Sequence, residues 1–278
     1  MIMRSLFTGN LQPFREVFRL LTTYKTLTWE MAKREITDRY QGQFFGLFWA
    51  VIHPLVLIGV YIFVFVIVFK IKIGGTREMP LDYTTYLLSG LIPWMAVQES
   101  MSKASTVITS NASLVKQVVF PIEILPIKSV LASMITQGIF FAILIVYVLA
   151  THTTLPITYA LLPLLVFVQM IGMAGVSYIL AAIGTYFRDI KDIVQVFTVV
   201  GIYIMPIFYL PEQVPELFRV FLYFNPFSYM TWCYQDALYF GRFVHPWSWV
   251  VYIVISHLVF ALGYRLFNRL KVMFGNVL

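Results

Sequence analysis

Six stretches of this chain stay apolar for long enough to cross a lipid bilayer, and no other feature limits its fold so severely. They lie near residues 46–69, 86–108, 127–150, 157–186, 193–210 and 247–267. A helix needs about 20 apolar residues to pass the hydrocarbon, and in lipid every backbone N–H and C=O must be satisfied within the protein. With 60% hydrophobic and 12% charged residues, the chain holds half the charge of a soluble domain, roughly 25%. The reading is an all-α integral membrane protein with six transmembrane helices, which excludes a soluble enzyme. One membrane domain, 1–278, suffices: a cytoplasmic N-terminal region with an interfacial helix (1–45), a six-span region (46–267) and a cytoplasmic tail (268–278). No internal repeat is visible. Arg4, Asn10, Pro13, Arg15 and Glu16 interrupt the N-terminus, so no cleaved leader is expected and the first span serves as the insertion signal.

Orientation follows from the basic residues beside the spans. Of the 20 Lys and Arg, only Lys70, Lys72, Arg77, Arg219 and Arg242 fall on one side. The majority side is cytoplasmic and carries both termini. The net charge of +7 is thus a matter of topology. No basic patch on a polar fold is present to bind nucleic acid.

Three segments outside the spans carry information. Residues 24–45 read as an amphipathic helix lying along the cytoplasmic interface, in contact with membrane lipid. Trp29, Ala32, Ile36 and Tyr40 share one face, and Lys33, Arg34 and Arg39 are positioned for lipid phosphates. Glu30–Arg34 and Glu35–Arg39 are at favourable i,i+4 spacing. The loop NASLVKQVVFPIEILP (111–126) has Pro121 and Pro126 bracketing a short helical piece, with Leu114, Val118 and Phe120 as apolar anchors. Residues 211–241 are apolar but broken by Pro211, Pro215 and Pro226, which fits an outer re-entrant hairpin between spans five and six.

Chemistry is conspicuous by omission. The four histidines are scattered, and HExxH, GxSxG and the GxxxxGK[ST] phosphate loop do not occur. No catalytic residue and no metal site is expected, and Cys233 is the only cysteine. His53, before Pro54, suits a structural hydrogen bond better than catalysis. Glu99 is the ionisable residue in most need of explanation, because a carboxylate at membrane depth requires a partner or a watery cavity. Two readings stand level: Lys103, four residues on, simply neutralises it, or Glu99 lines a pathway. Ala174, Ser177, Ala181 and Gly184 form a small-residue stripe suited to close helix packing. Aromatic residues reach 17%, more than interfacial belts need, and their faces suit the apolar faces of sugar rings.

Several motifs together resemble the permease subunits of ABC transporters that export polysaccharides, the O-antigen, capsule and teichoic-acid exporters. REITDRYQGQFFGLFWAVIHPL (34–55) is similar to the family's lead into its first span, with Gly46, Trp49 and Pro54 in place. NASLVKQVVFPIEILP resembles its cytoplasmic segment, YFRDI (186–190) the close of its fourth span, MPIFY (205–209) the end of its fifth, and NPF (225–227) its hairpin turn. The family often has an Arg where this chain has Tyr234-Gln235-Asp236.

The resemblance implies a homodimer driven by two copies of a separate ABC ATPase, which would hold ATP and Mg, this chain having no cofactor of its own. The substrate would be a lipid-linked polysaccharide carried outward across a bacterial inner membrane, as in lipopolysaccharide biosynthesis. Asn111, Leu114, Lys116, Gln117, Phe120 and Pro121 would dock on the ATPase, and Phe44, Trp49, Trp94, Glu99 and Lys103 would line the pathway. The rivals are a related permease exporting a small drug or lipid-like molecule, an intramembrane transferase, and a channel or proton-coupled carrier centred on Glu99.

Overall fold

The computed structural model describes residues 2–70, 80–117 and 120–278; the side chains at 2–11, 39, 40, 47 and 117 fall outside that description. Every regular element among the described residues is helical. Helices α1 (Ile2–Thr23) and α2 (Lys25–Tyr40) precede α3 (Trp49–Tyr61), which continues through wider turns to Val68. The chain then forms α4 (Tyr83–Ala104), α5 (Ala112–Gln117), α6 (Ile124–His152), α7 (Leu162–Tyr186) and α8 (Ile190–Ile204). Helices α9 (Glu216–Phe224), α10 (Pro226–Gln235, extended by wide turns to Phe240), α11 (Pro246–Leu270) and α12 (Phe274–Val277) complete it.

Among the described residues, four helical stretches are long and apolar enough to cross a membrane: Trp49–Val68, Ile124–His152, Ile157–Tyr186 and Pro246–Val277. Two of the six expected spans, 86–108 and 193–210, do not meet that standard, for different reasons. Helix α4 has the length, but it carries Gln98, Glu99 and Lys103. It can afford them because it runs through the middle of the bundle, with every residue from Tyr83 to Trp94 buried by other helices rather than by lipid. Helix α8 is apolar but has 15 residues, a rise of about 22 Å, short of the roughly 30 Å hydrocarbon. The N-terminal stretch joins the bundle. Despite Pro13 it is one helix, with Pro13 and Val17 buried and the Phe14 ring 4.5 Å from that of Phe260 on α11.

Close packing is set by glycines. A Cβ on Gly175 of α7 would lie 2.4 Å from the backbone N of Phe260, and one on Gly263 would lie 2.2 Å from the Gly175 carbonyl oxygen. The stripe Ala174, Ser177, Ala181 and Gly184 lies against α4. Ser177 and Ser100 share a hydrogen bond of 3.0 Å, and a Cβ on Gly184 would meet the Ser105 carbonyl at 2.1 Å. Both faces of α7 therefore admit a neighbouring backbone.

After α8 the chain bends at Pro206, and the carbonyls released there find buried donors. The Tyr86 hydroxyl donates to Pro206 and Tyr209, Gln235 Nε2 to Pro206 at 2.7 Å, and the Tyr83 hydroxyl to Phe208. Helices α9 and α10 then form a hairpin whose turn is capped by Asn225, which accepts from the Phe227 N–H. The turn reaches Trp94, halfway along α4, where Phe227 packs at 5.5 Å. From there α10 runs back beside α4, Thr231 against Gly90 and Tyr239 against Tyr86. Tyr234, Gln235 and Asp236 are all buried on this return. Asp236, 1% exposed, gathers the His245 N–H at 3.0 Å, His245 Nδ1 at 2.9 Å and Trp249 Nε1 at 3.1 Å, joining α10 to α11.

Asp82 closes the start of α4 in a similar way, accepting from Thr84 N–H, Thr85 Oγ1, Tyr147 and His152. Burial raises its pKa, but the hydrogen bonds from Thr85, His152, Tyr147 and Thr84 outweigh it and hold the carboxyl below its usual value.

Candidate functional site: a polar cleft and its charged end

A polar cleft of about 430 Å³ lies between α3, α4, α6 and α8. It arises because α4 and α6 turn small and polar side chains toward α3, which packs loosely against them. Gln98, Glu99 and Ser102 come from α4, Ser133, Thr136 and Gln137 from α6, and Thr198 from α8, while Tyr61, Phe140 and Tyr203 supply aromatic walls. The cleft is open along one side. Its donors and acceptors are mostly neutral hydroxyls and amides, which can hold a polyhydroxylated chain without trapping it.

The floor is set by a buried network that the sequence reading missed. Gln169 Nε2 donates to the Pro93 carbonyl at 3.1 Å. Its Oε1 therefore accepts, from the Tyr234 hydroxyl and from Gln137 Nε2 at 2.7 Å. That fixes the Gln137 amide, whose Oε1 has no hydrogen-bond partner among the described residues. Two glutamines inside otherwise apolar stretches were the available signal, since such residues mark a polar path by default.

At the Lys103 end, the cleft meets a set of charges. Lys103 Nζ lies 2.9 Å from Glu99 and 3.6 Å from Glu35 of α2. Glu35 also meets Lys128 at 3.3 Å and accepts from Ser129 Oγ at 3.0 Å. Glu99 thus pairs with Lys103 and also lines the cleft, the geometry that a pathway role would require. The two roles separate in a double-mutant cycle of Glu99→Gln and Lys103→Met. If the chain exports as its motifs imply, Glu99→Gln cuts export about tenfold with no rescue by the second change; a double variant milder than the worse single variant would reduce Glu99 to a neutralised charge.

The other expected pathway residues lie elsewhere. Trp94 is fully buried behind the cleft, packed on Phe197, Phe227 and Gly201, because the missing side chain of Gly201 leaves a socket for its ring. It is a core residue and not a lining one. Phe44 is 96% exposed between α2 and α3, where Phe45 stacks edge-on with both Phe44 and Trp49. These rings precede the cleft and are not among the residues that line it.

On helix α2, Thr28 and Ala32 are buried and Trp29 is exposed, since Glu35 is drawn inward to Lys103 and Lys128. In place of the expected Glu30–Arg34 pair, Glu30 takes Lys33 at 2.7 Å and Arg34 takes Asp38 at 3.3 Å. The side chains of Arg39 and Tyr40 lie outside the described residues.

In the expected docking loop, the helical piece is α5, which precedes Pro121. Pro126 stands in the first turn of α6, where a missing N–H is tolerated. Asn111 Nδ2 donates to the Val107 carbonyl at 2.7 Å, and α5 exposes Leu114 and Lys116. Phe120 and Pro121 are half-buried, with Phe120 packed on the core. Val118 and the Gln117 side chain lie outside the described residues. Beside α5 is a second cavity of about 520 Å³, bounded by Ser105, Thr109, Thr185, Arg188 and Lys191.

Comparison with known proteins agrees with this architecture. The family described as ABC-2 type transporter matches residues 26–239. An O-antigen export system permease protein, RfbA, of Klebsiella pneumoniae is 25% identical over 253 residues, covering 89% of this chain and 93% of that protein. A protein of the same name from Myxococcus xanthus is 25% identical over 223 residues, covering 80% and 83%.

Proposed function

Because the chain belongs to the ABC-2 type transporter family and is a multi-pass permease of the polysaccharide-export type, we infer that it is the membrane half of an ATP-driven exporter of a lipid-linked glycan. The observation that carries this is the cleft itself, polar along two helices, aromatic in part, and open on one side. A second copy placed against that side would close two clefts into one passage. A small drug or lipid-like substrate would call for an enclosed pocket instead. In this reading six segments cross the membrane. Helix α4 crosses shielded by its neighbours, α8 is completed by residues up to 210, and α9–α10 form a re-entrant hairpin on the outer side. The basic residues at the Lys103 end support a cytoplasmic position for that end and both termini, in the inner membrane of a bacterium.

The sequence has no phosphate loop, so the energy must come from a separate ABC ATPase. Two copies of it, carrying ATP and Mg, would serve the homodimer. The names of the relatives favour O-antigen or a similar surface glycan as cargo. The test is export in the native cell. Loss of the gene should remove the surface glycan and leave it on its lipid inside, and the purified chain should hydrolyse ATP only with its partner. An intact surface glycan in the deletion strain would refute the reading.

A further inference from the structure

At the Lys103 end of the cleft, two lysines are kept from water by carboxylates of different origin. Glu99 belongs to the cleft wall, one turn before Lys103 on the same helix. Glu35 comes from α2, whose remaining buried contacts there are small residues, Thr28 and Ala32. Its two oxygens bridge Lys103 and Lys128, and Ser129 adds a hydroxyl donor. The side chains of Lys103, Lys128 and Glu35 are 14%, 12% and 14% exposed. Removing a partner from a buried ion pair leaves an uncompensated charge, so this pair of ammoniums needs an anion in every state of the protein. Without Glu35 they would face Glu99 as two cations against one carboxylate.

We propose that Glu35 is a placeholder anion, and that Lys103, Lys128 and the Ser129 hydroxyl receive a phosphate-bearing headgroup when α2 moves away. Adjacent oxygens of a phosphate or diphosphate can take one ammonium each, as the two oxygens of Glu35 do. The exchange keeps both lysines paired throughout. Ser102 and Ser133, which line the cleft on either side of this charged group, leave it within reach of a substrate entering there. Lys33 and Arg34, the cations that the sequence offered to such a headgroup, are instead held by Glu30 and Asp38 on their own helix. The proposal rests on the reading of the chain as an exporter of a lipid-linked glycan, and it names the part of that substrate recognised at the cytoplasmic end.

The test is binding of radiolabelled geranylgeranyl diphosphate to the full chain in phosphatidylcholine nanodiscs, without glycan or ATPase, with uncharged geranylgeraniol as control. The wild-type chain should bind the diphosphate and not the alcohol. Glu35→Gln should bind about tenfold tighter, because a resident competitor is gone, whereas Lys103→Met and Lys128→Met should each weaken binding about tenfold. If the charges only hold helices together, Glu35→Gln lowers the melting midpoint and binds no tighter, which overturns the proposal. Should Glu35→Gln not yield folded protein, Ser129→Ala and Lys128→Met decide: unchanged binding in both also overturns it. Excess inorganic pyrophosphate separates the sources. Displacement means that the phosphate alone is read, and persistence means that the lipid-borne headgroup is. Failure of the wild-type chain to bind any diphosphate defeats the placeholder while the cell-surface assay of export is unaffected.

Discussion

Asp236→Ala is expected to lower the stability of the purified chain by about 3–5 kcal/mol, because a buried carboxylate that satisfies three donors is lost at once. The His245 N–H, His245 Nδ1 and Trp249 Nε1 all point at this one side chain. His245 is also stacked on Trp232, ring centroids 5.4 Å apart and planes 13° from parallel, so it cannot turn to another acceptor without losing that contact. Asp236→Asn keeps one oxygen acceptor and should lose about half as much, roughly 2 kcal/mol. Thermal melting in detergent reports both. A melting midpoint for Asp236→Ala within a degree or two of wild type would show that these donors find water instead.

Leu114→Asp is expected to abolish export while leaving the chain folded. Leu114 is exposed on α5, so the change costs the isolated bundle about 0.5 kcal/mol or less. Against a docked ATPase the same carboxylate would be buried without a partner, a cost of several kcal/mol. Phe120→Asp, at another residue that the resemblance assigns to docking, is a poorer probe. Phe120 packs on the core, and its loss would damage the fold and the interface together. Copurification with the ATPase and surface glycan in cells provide the measurement. A Leu114→Asp chain that copurifies and exports normally would remove α5 from the coupling surface.

What could be read from the sequence depended on whether the partners of a residue were near it in the chain. Glu99 and Lys103 share a helix face, so their pairing was legible before any fold was known. The contact of Glu35 with Ser129 was not legible, because the two are 94 residues apart and only the packing of α2 across α6 brings them together. The hairpin was legible because Pro211, Pro215, Asn225 and Pro226 break and cap helices wherever they occur. Trp94 was not, because its socket is made by a glycine on another helix. Helix α4 was legible by length, though its polar residues fail a test of apolarity. Composition alone cannot distinguish a helix facing lipid from one surrounded by protein.

The glycine seam between α7 and α11 has a mechanical consequence. With backbone atoms that close on both faces of α7, the trio α4, α7 and α11 can neither slide nor roll without collision, and it behaves as a stiff frame. Helix α3 and its continuation to Val68 are the opposite case, for Ile58 is the one buried residue on that whole length. Within the chain, a change in the bore of the cleft meets least resistance at its α3 wall, which follows the Gly42 and Gly46 bends where φ is positive. A load applied to α2, which leads straight into those bends, is delivered to the wall and not to the frame.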